Sequence, residues 1–543
     1  MVTFGERPLP SGLRAQYFEQ GWWTDETLDQ VVGRSLDAEP TQSINVWSHD
    51  AAFHGTYAEI ADEARRLASA LSAAGIQPGE AVAFQLPNSR EAIAAFYGLA
   101  LGGYVLVPIV HIYGRKEVGF ILRESGATAY ISAVSFGHVN YVEIIDEEAD
   151  ALPDLRVHLV AGEPSTPAVS AITRLSWSSV DESQPDGAVI SVDPDDPVVI
   201  AYTSGTTSSP KGVVHTHRTL LAELIHMSTM MTPGQSNLMG SPVTHATGML
   251  GAVLAPVQAG MPIHVIDRWD PAQVLDIVLE AGVSAGVGAS FFLTSLLEHT
   301  AFTPAHAAHM GRVGLGGAPV PPSVGEAAAS HGIAIIRAYG STEHPSVTGG
   351  DWDDPAEKRH NTDGRARLGV EIRIVDDDET DLAPGTAGEI LTRGPDLCAG
   401  YTDAELTAAT FDADGWYRTG DMGVMDDDGY LTITDRLKDI IIRGGENISA
   451  AEVEEVIAAV PGVAEVAVVA APDVRLGEHG CAVVRMQPGA DELTLEQLRE
   501  HLDAAEFARQ KWPEELRIVA DFPRTATGKI RKVDLRRQLE APT

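Results

Sequence analysis

The stretch that most constrains this chain is Tyr202-Thr203-Ser204-Gly205-Thr206-Thr207-Ser208-Ser209-Pro210-Lys211-Gly212. It follows Asp196-Pro197-Val198-Val199-Ile200-Ala201, a short apolar run that reads as a buried strand. Val213-Val214-His215-Thr216-His217 comes next, and a helix-forming stretch begins near Thr219. A small-residue loop behind a strand is a natural phosphate cradle. Thr203, Ser204, Thr206 and Thr207 offer hydroxyls, Gly205 and Gly212 let backbone N–H groups approach an anion, and Lys211 supplies a compact positive charge. The loop is not the Walker loop. Counting from Gly205, Pro210 stands where the second glycine should be, and Gly212 replaces the hydroxyl that would hold magnesium. A Ser/Thr/Gly surface linker would have no reason to hug a strand or to carry Pro-Lys-Gly.

Strand and helix signals alternate around this loop. Thr56 and Glu59 form a capping box for a helix that stops at Gly75. A strand over 81–86, a helix from Ser89 to Leu101 and a strand over 104–110 follow. A second alternating unit spans about 125–195, and Asp270-Pro271 caps a helix ending at Gly282. This alternation predicts an α/β fold with parallel sheets and helices on their faces. Strand signals then crowd 364–435, expected as a small β-barrel or twisted sheet, with Asp426-Asp427-Asp428-Gly429 as a hairpin turn that lacks calcium-loop spacing. The composition shifts at Asp435-Arg436-Leu437-Lys438-Asp439. We expect a large N-terminal domain over 1–435, built of two parallel-sheet α/β subdomains plus the small barrel, and a small α+β C-terminal lid over 436–543. A chain of 543 residues exceeds what one core supports.

Charge and cysteine usage narrow the function. Lys plus Arg number 38 against 77 Asp plus Glu, a net charge of -39, which argues against nucleic acid or an anionic membrane as partner. Cys398 and Cys481 have no metal or redox spacing and read as small packed hydrophobes in a reducing compartment. The N-terminus has no signal-peptide core, and a cytoplasmic location is expected. The most membrane-like run, Gly248 to Ile266, contains Pro256, Gln258, Pro262 and His264, so a buried helix followed by a strand is expected rather than a span.

The loop closely resembles the signature of the adenylate-forming superfamily, which includes acyl-CoA synthetases, adenylation domains of peptide synthetases and luciferases. One departure is Ser208, where the family usually has glycine. Further motifs follow in the family's order. Gly316-Gly317-Ala318-Pro319 resembles the strand end that lies against adenine. Tyr339-Gly340-Ser341-Thr342-Glu343 matches the motif whose Tyr region packs on adenine, whose Thr contacts the α-phosphate and whose Glu holds Mg²⁺. Tyr417-Arg418-Thr419-Gly420-Asp421 matches the motif whose Asp binds the ribose hydroxyls; spacing alone would leave Asp421 an ordinary turn residue. Arg436 matches the ribose-contacting arginine, Lys438 the hinge, and Gly444-Gly445-Glu446 the loop lining the pantetheine tunnel of CoA ligases. Lys529, in Pro523-Arg524-Thr525-Ala526-Thr527-Gly528-Lys529, matches the lysine that enters the first-step active site. His245 falls where the family often has a gate between acyl pocket and CoA tunnel, although a core histidine reads almost as well.

The resemblance implies an AMP-forming acid–thiol ligase with ATP, Mg²⁺ and CoA. A carboxylate would attack the α-phosphate to give acyl-AMP and pyrophosphate, and CoA thiol would then take the acyl group. A mobile lid turning at Lys438 would serve both steps, with Lys529 leaving and Gly444-Gly445 arriving. The pocket expected from His245 to Leu250, Gly288 to Phe291 and Ala338 to His344 is small and apolar, with no Asp to hold an amine. The order of these stretches most resembles short- and medium-chain fatty acyl-CoA and cyclohexanecarboxylate-type ligases, so a short, medium or alicyclic acid is expected. The alternative is a stand-alone adenylating enzyme that loads a carrier protein. A homodimer is compatible with the sequence.

Overall fold

The structure, a computed structural model, describes residues 4–163, 172–185, 190–203, 210–436, 439–443, 446–473, 477–505, 507–525 and 528–540. Of the expected site residues, Ser204, Gly205, Thr206, Thr207, Lys438, Gly444 and Gly445 lie outside this set.

The largest sheet has nine strands. Its parallel part runs in spatial order Pro197–Thr203, Val105–Pro108, Ala81–Gln85, Ala129–Ala133, Val157–Ala161 and Thr173–Ser176. Ala81–Gln85 is buried at every position, as a sheet covered on both faces requires. Alternate side chains serve separate cores. Val82, Phe84 and Leu106 pack with Leu67 and Phe96 on one face, while Ala81, Ala83 and Val107 meet Ile121 and Ile144 on the other. The capping box forms as expected: the Thr56 side chain accepts from the Glu59 backbone N–H, and the Glu59 carboxylate accepts from the Thr56 N–H at 2.8 Å.

The segment after the loop adds a feature that helix signals hid. Val213, Val214 and Thr216 are β-branched, and they lie in a strand, Lys211–Thr216, that pairs antiparallel with Pro197–Thr203. Thr203 and Lys211 are thus cross-strand partners. The helix His217–Met230 opens only afterwards, with the Thr216 side chain accepting from the Thr219 N–H. Gly212 lies in the Lys211–Thr216 strand, where a Cβ would lie 2.6 Å from Thr402 Oγ1 and 3.0 Å from Tyr202 Cζ, so close packing also asks for glycine here.

A second sheet runs Ser284–Ala285, Asn237–Met239, Ile263–Ile266, Ser43–Trp47 and Phe53–Thr56, all parallel except the last pair. It continues into a third sheet through Gly288, whose N–H donates to Gly314 O at 3.1 Å and whose carbonyl accepts from Gly316 N at 2.9 Å. There Arg312–Gly316 lies parallel to Ala334–Tyr339. The helix Pro271–Ala281 beside it is capped by Asp270 and ended by Gly282 at φ 66°.

The region expected as a small barrel or twisted sheet is an antiparallel ladder of Glu371–Val375, Gly388–Arg393, Tyr417–Met425 and Leu431–Arg436. Its outer strands do not pair with each other among the described residues, so it takes the open form. Asp421 lies within a strand rather than before a turn. The Asp426–Gly429 turn uses its own carboxylate: Asp426 Oδ1 accepts from the N–H groups of Asp428 and Tyr430, each at 2.9 Å. The C-terminal part has its own core, in which Ile441, Val453, Ile457, Val468, Val484 and Leu498 pack together beneath a mixed sheet. Gly248 to Ile266 forms short helical segments, one of them a π-helix over Met249–Leu254, and then the strand Ile263–Ile266. Among the described residues no helix is long and apolar enough to cross a membrane. Cys398 and Cys481 are both buried and unbridged, and burial pushes both thiols up, Cys481 to about 12.

Candidate active site

One cavity of about 880 Å³ collects residues from the first three sheets, the antiparallel ladder and a loop of the C-terminal part. Cross-strand register builds one end. Asp421 and Arg436 are directly paired residues of neighbouring strands, and they form an ion pair with Arg436 Nε 2.8 Å from Asp421 Oδ1. The Tyr339 hydroxyl donates to Asp421 Oδ2 at 2.7 Å. Burial and the neighbouring carboxylate hold the Tyr339 phenol well above its usual range. Burial is the largest single influence and opposes the Arg436 charge, but Asp421 together with Tyr339, Asp439 and Tyr417 outweighs it and raises the guanidinium. Asp421 is thereby fixed as an acceptor facing the cleft, with both oxygens oriented.

The turn after Ala334–Tyr339 carries Thr342 and Glu343 into the same cavity. It is close-packed: a Cβ on Gly340 would sit 1.9 Å from the Pro345 carbonyl oxygen. His215 reaches it from the hairpin, with Nε2 2.8 Å from Thr342 O. Burial lowers the His215 pKa, so the ring is neutral and Nε2–H is the donor. The Tyr401 hydroxyl donates to Glu343 Oε1 at 2.9 Å, and Lys211 Nζ stands 6.0 Å from the Tyr401 ring centroid. A carboxylate that lines the same cavity as Thr203 and Lys211, with one oxygen held by a phenol, is a hard-oxygen donor of the kind Mg²⁺ takes.

Lys529 enters from the C-terminal part and lines the cavity with Thr525 and Arg531. A short turn presents it, in which Thr525 N donates to Lys529 O at 2.8 Å and Lys529 N to Thr525 Oγ1 at 3.1 Å. The segment docks on Phe291. The Arg524 guanidinium lies 4.7 Å over its ring, and Gly528, at φ 83°, approaches it so closely that a Cβ would be 3.1 Å from Cδ1. His245 also faces the cavity and opens a helical turn, with its Nδ1 accepting from Thr247 N at 3.3 Å. Burial first and the Lys529 charge second lower its imidazole to about 4. It is neutral at neutral pH.

The cavity therefore brings together Thr203, Lys211, Gly317, Tyr339 to Glu343, Asp421, Arg436, His245 and Lys529. Ala318 and Pro319 are not in its wall. Five residues of the expected pocket, Gly248, Met249, Ser290, Phe291 and His344, are not in its wall; Phe291 is committed to docking Arg524, and His344 is fully buried behind the turn. Tyr401, His215 and the methionines 227, 230, 231, 239 and 261 were not foreseen. Tyr401 and His215 come from strands that meet the Thr342–Glu343 turn only through the sheet, and no local motif marks them.

The AMP-binding enzyme family profile matches residues 35–402, and the AMP-binding enzyme C-terminal domain profile matches residues 452–529. The chain belongs to the AMP-binding enzyme family, and its class is that of the AMP-forming acid–thiol ligases. Among curated relatives it is 34% identical over 541 residues to a medium-chain fatty-acid–CoA ligase of Escherichia coli K12, covering 99% of this chain and 94% of the relative. It is 35% identical over 497 residues to a methyl-dioxo-octahydro-indenyl-propanoyl:CoA ligase of Rhodococcus jostii RHA1, covering 89% and 93% of the two chains. Among solved structures, ATP-bound MatB of Rhodopseudomonas palustris superposes with a TM-score of 0.83 at 27% identity, covering 94% of this chain and 99% of that one.

Proposed function

We propose that this enzyme activates a short-chain, medium-chain or alicyclic carboxylic acid with ATP and transfers the acyl group to CoA. The observation that carries the reading is the meeting of Lys529 with Thr342, Glu343, Lys211, Asp421 and Arg436 around one cavity. In the first half-reaction the substrate carboxylate, already ionised at neutral pH, attacks the α-phosphorus. The P–O bond to the β-phosphate breaks, and acyl-AMP and pyrophosphate form. The chain needs no strong general base for this; it needs fixed positive charge and alignment. Lys529 and Thr342 would face the α-phosphate, and Lys211 with the 203–209 loop would hold the departing pyrophosphate. Asp421 would take the ribose hydroxyls. Mg²⁺ held by Glu343 would neutralise phosphate oxygens. In the second half-reaction the CoA sulfur attacks the acyl carbonyl and AMP leaves. The two-domain division at 435/436 and a turn at Lys438 would exchange Lys529 for Gly444-Gly445 between the steps.

The acid pocket is supported by the opposite, apolar end of the cavity, where Met227, Met239, Leu250, Ala252 and Met261 contribute. Unbranched methionines adapt to chains and rings alike. Among the described residues Asp421 is the one aspartate in the wall, and it is held by Tyr339 and Arg436, which supports an acid without an amino group. The relatives that act on medium-chain fatty acid and on a bicyclic propanoate point the same way. The test is pyrophosphate release from Mg·ATP with acids from acetate to palmitate, cyclohexanecarboxylate, benzoate and cinnamate, with and without CoA. Turnover needing both an aliphatic or alicyclic acid and CoA supports the reading. Acid-dependent release that CoA does not accelerate would point instead to carrier-protein loading.

A further inference from the structure

Behind the Thr342–Glu343 turn, away from the nucleotide end, three buried side chains converge without closing on one another. His226 Nδ1 lies 3.6 Å from Glu223 Oε2 and 3.6 Å from Asp396 Oδ1. The residues are 2%, 1% and 0% exposed. These separations are too long for hydrogen bonds, and both His226 Nδ1 and Glu223 Oε2 are buried without any hydrogen-bond partner. Such orphaned groups carry a steep desolvation cost unless something sits between them.

The surroundings say what that something is. His226 Nε2 lies 2.8 Å from Leu368 O and so carries the proton, which leaves the Nδ1 lone pair aimed at two carboxylate oxygens. A metal ion or a proton on Nδ1 reconciles that arrangement. Neighbours already orient both carboxylates: the Ser346 hydroxyl donates to the far Glu223 oxygen, Oε1, at 2.8 Å, and His344 Nε2, 3.1 Å away, donates to Asp396 Oδ1, the same oxygen that faces His226. Metal ligands are usually oriented by second partners of this kind. The three ligand atoms all lie within 4.8 Å of one another. Donors on a tetrahedral metal with bonds of about 2.0–2.2 Å stand about 3.3–3.6 Å apart. One neutral imidazole and two carboxylates balance a divalent charge, and this mixed donor set suits zinc or a similar first-row cation better than Mg²⁺, which keeps a shell of waters. Glu223 and Ser346 reach the cavity wall, giving an entry path.

We propose that Glu223, His226 and Asp396 form a buried structural site for a divalent first-row transition metal, zinc in the first instance, separate from the Glu343 position. The metal would tie the helix His217–Met230 to the 394–399 segment directly behind His344, and so brace the turn that presents Thr342 and Glu343. A proton on Nδ1 would fill the same gap without metal, and the experiment separates the two.

Tag-free full-length protein expressed with zinc is analysed for metal by mass spectrometry, and Co²⁺-grown protein is examined by visible absorption. The expected result is about one zinc per chain, intense d–d bands from the cobalt form, and a melting temperature lowered by about 5 °C or more on chelation and restored by zinc but not by magnesium. Glu223→Gln and Asp396→Asn should lose the metal at least tenfold, whereas Glu343→Gln should keep it. Wild-type protein with less than about a tenth of an equivalent of metal and no cobalt bands overturns the site whether or not the variants fold. Metal lost in Glu343→Gln but kept in Asp396→Asn overturns it as well.

Discussion

Lys529 is the residue on which the proposed chemistry turns, and its charge is already felt across the cavity by His245. Lys529→Ala should lower acid-dependent pyrophosphate release by about 10²–10³-fold, the usual loss when one preorganised charge is removed. Thioester formation from supplied acyl-AMP should stay within severalfold of wild type. Equal loss of both half-reactions would remove Lys529 from its first-step role. Asp421→Asn breaks a charge-assisted pair with Arg436 at 2.8 Å while leaving the strand intact. We expect the KM for ATP to rise about tenfold or more, with folding unchanged by circular dichroism. Both residues were legible because each sits in a run of several distinctive residues. Tyr401 and His215 were not, since a lone tyrosine or histidine in an apolar stretch looks like core. Their partners, Glu343 and Thr342, lie far away in sequence.

At the level of elements, the turn between Ala334–Tyr339 and Thr348–Gly349 must fold back tightly to aim Thr342 and Glu343 at the cleft. Gly340 permits this, because any Cβ there would run into the Pro345 carbonyl. Gly340→Ala should therefore reduce pyrophosphate release by at least about tenfold, since backbone rather than a flexible side chain has to give way. Near-wild-type turnover would show that the turn has slack. Helix ends were the most readable elements. Thr56 and Glu59, Ser89, and Asp270 with Gly282 all stand where local chemistry puts them. Removing the Asp270 cap by Asp270→Ala should cost about 1 kcal/mol in urea unfolding. The strand Lys211–Thr216 was harder to read. Its β-branched residues were visible, but only the distant strand Gly400–Tyr401 gives it a partner on its second side.

For the whole molecule, acid stability is a collective property. Burial depresses His111, His217, His245 and His264 to about 4 and His158 to about 3. In the unfolded chain each titrates near 6.5, so between about 6.5 and about 4 the unfolded state binds more protons than the native one. Stability must then rise with pH across that window and fall as pH drops through it. Differential scanning calorimetry should show a melting temperature at pH 5 clearly below that at pH 7. An unchanged value would mean that these histidines are not buried as neutral rings.

What the sequence by itself determined is the material that local physics controls: strand and helix alternation, the caps, the turn at Asp426–Gly429, and the ordered motifs that mark an AMP-binding enzyme. These depend on short-range hydrogen bonding and on apolar periodicity, which a few neighbouring residues specify. Tertiary structure alone decided which distant residues share a site. Sheet pairing sets Asp421 opposite Arg436, joins the second and third sheets at Gly288, and decides between the expected barrel and twisted sheet in favour of the open ladder. Packing of the helix His217–Met230 against the 394–399 segment brings Glu223 and His226 to Asp396. Contacts of that kind gain their free energy from desolvation and close approach in three dimensions, and no local stretch of sequence carries the signal.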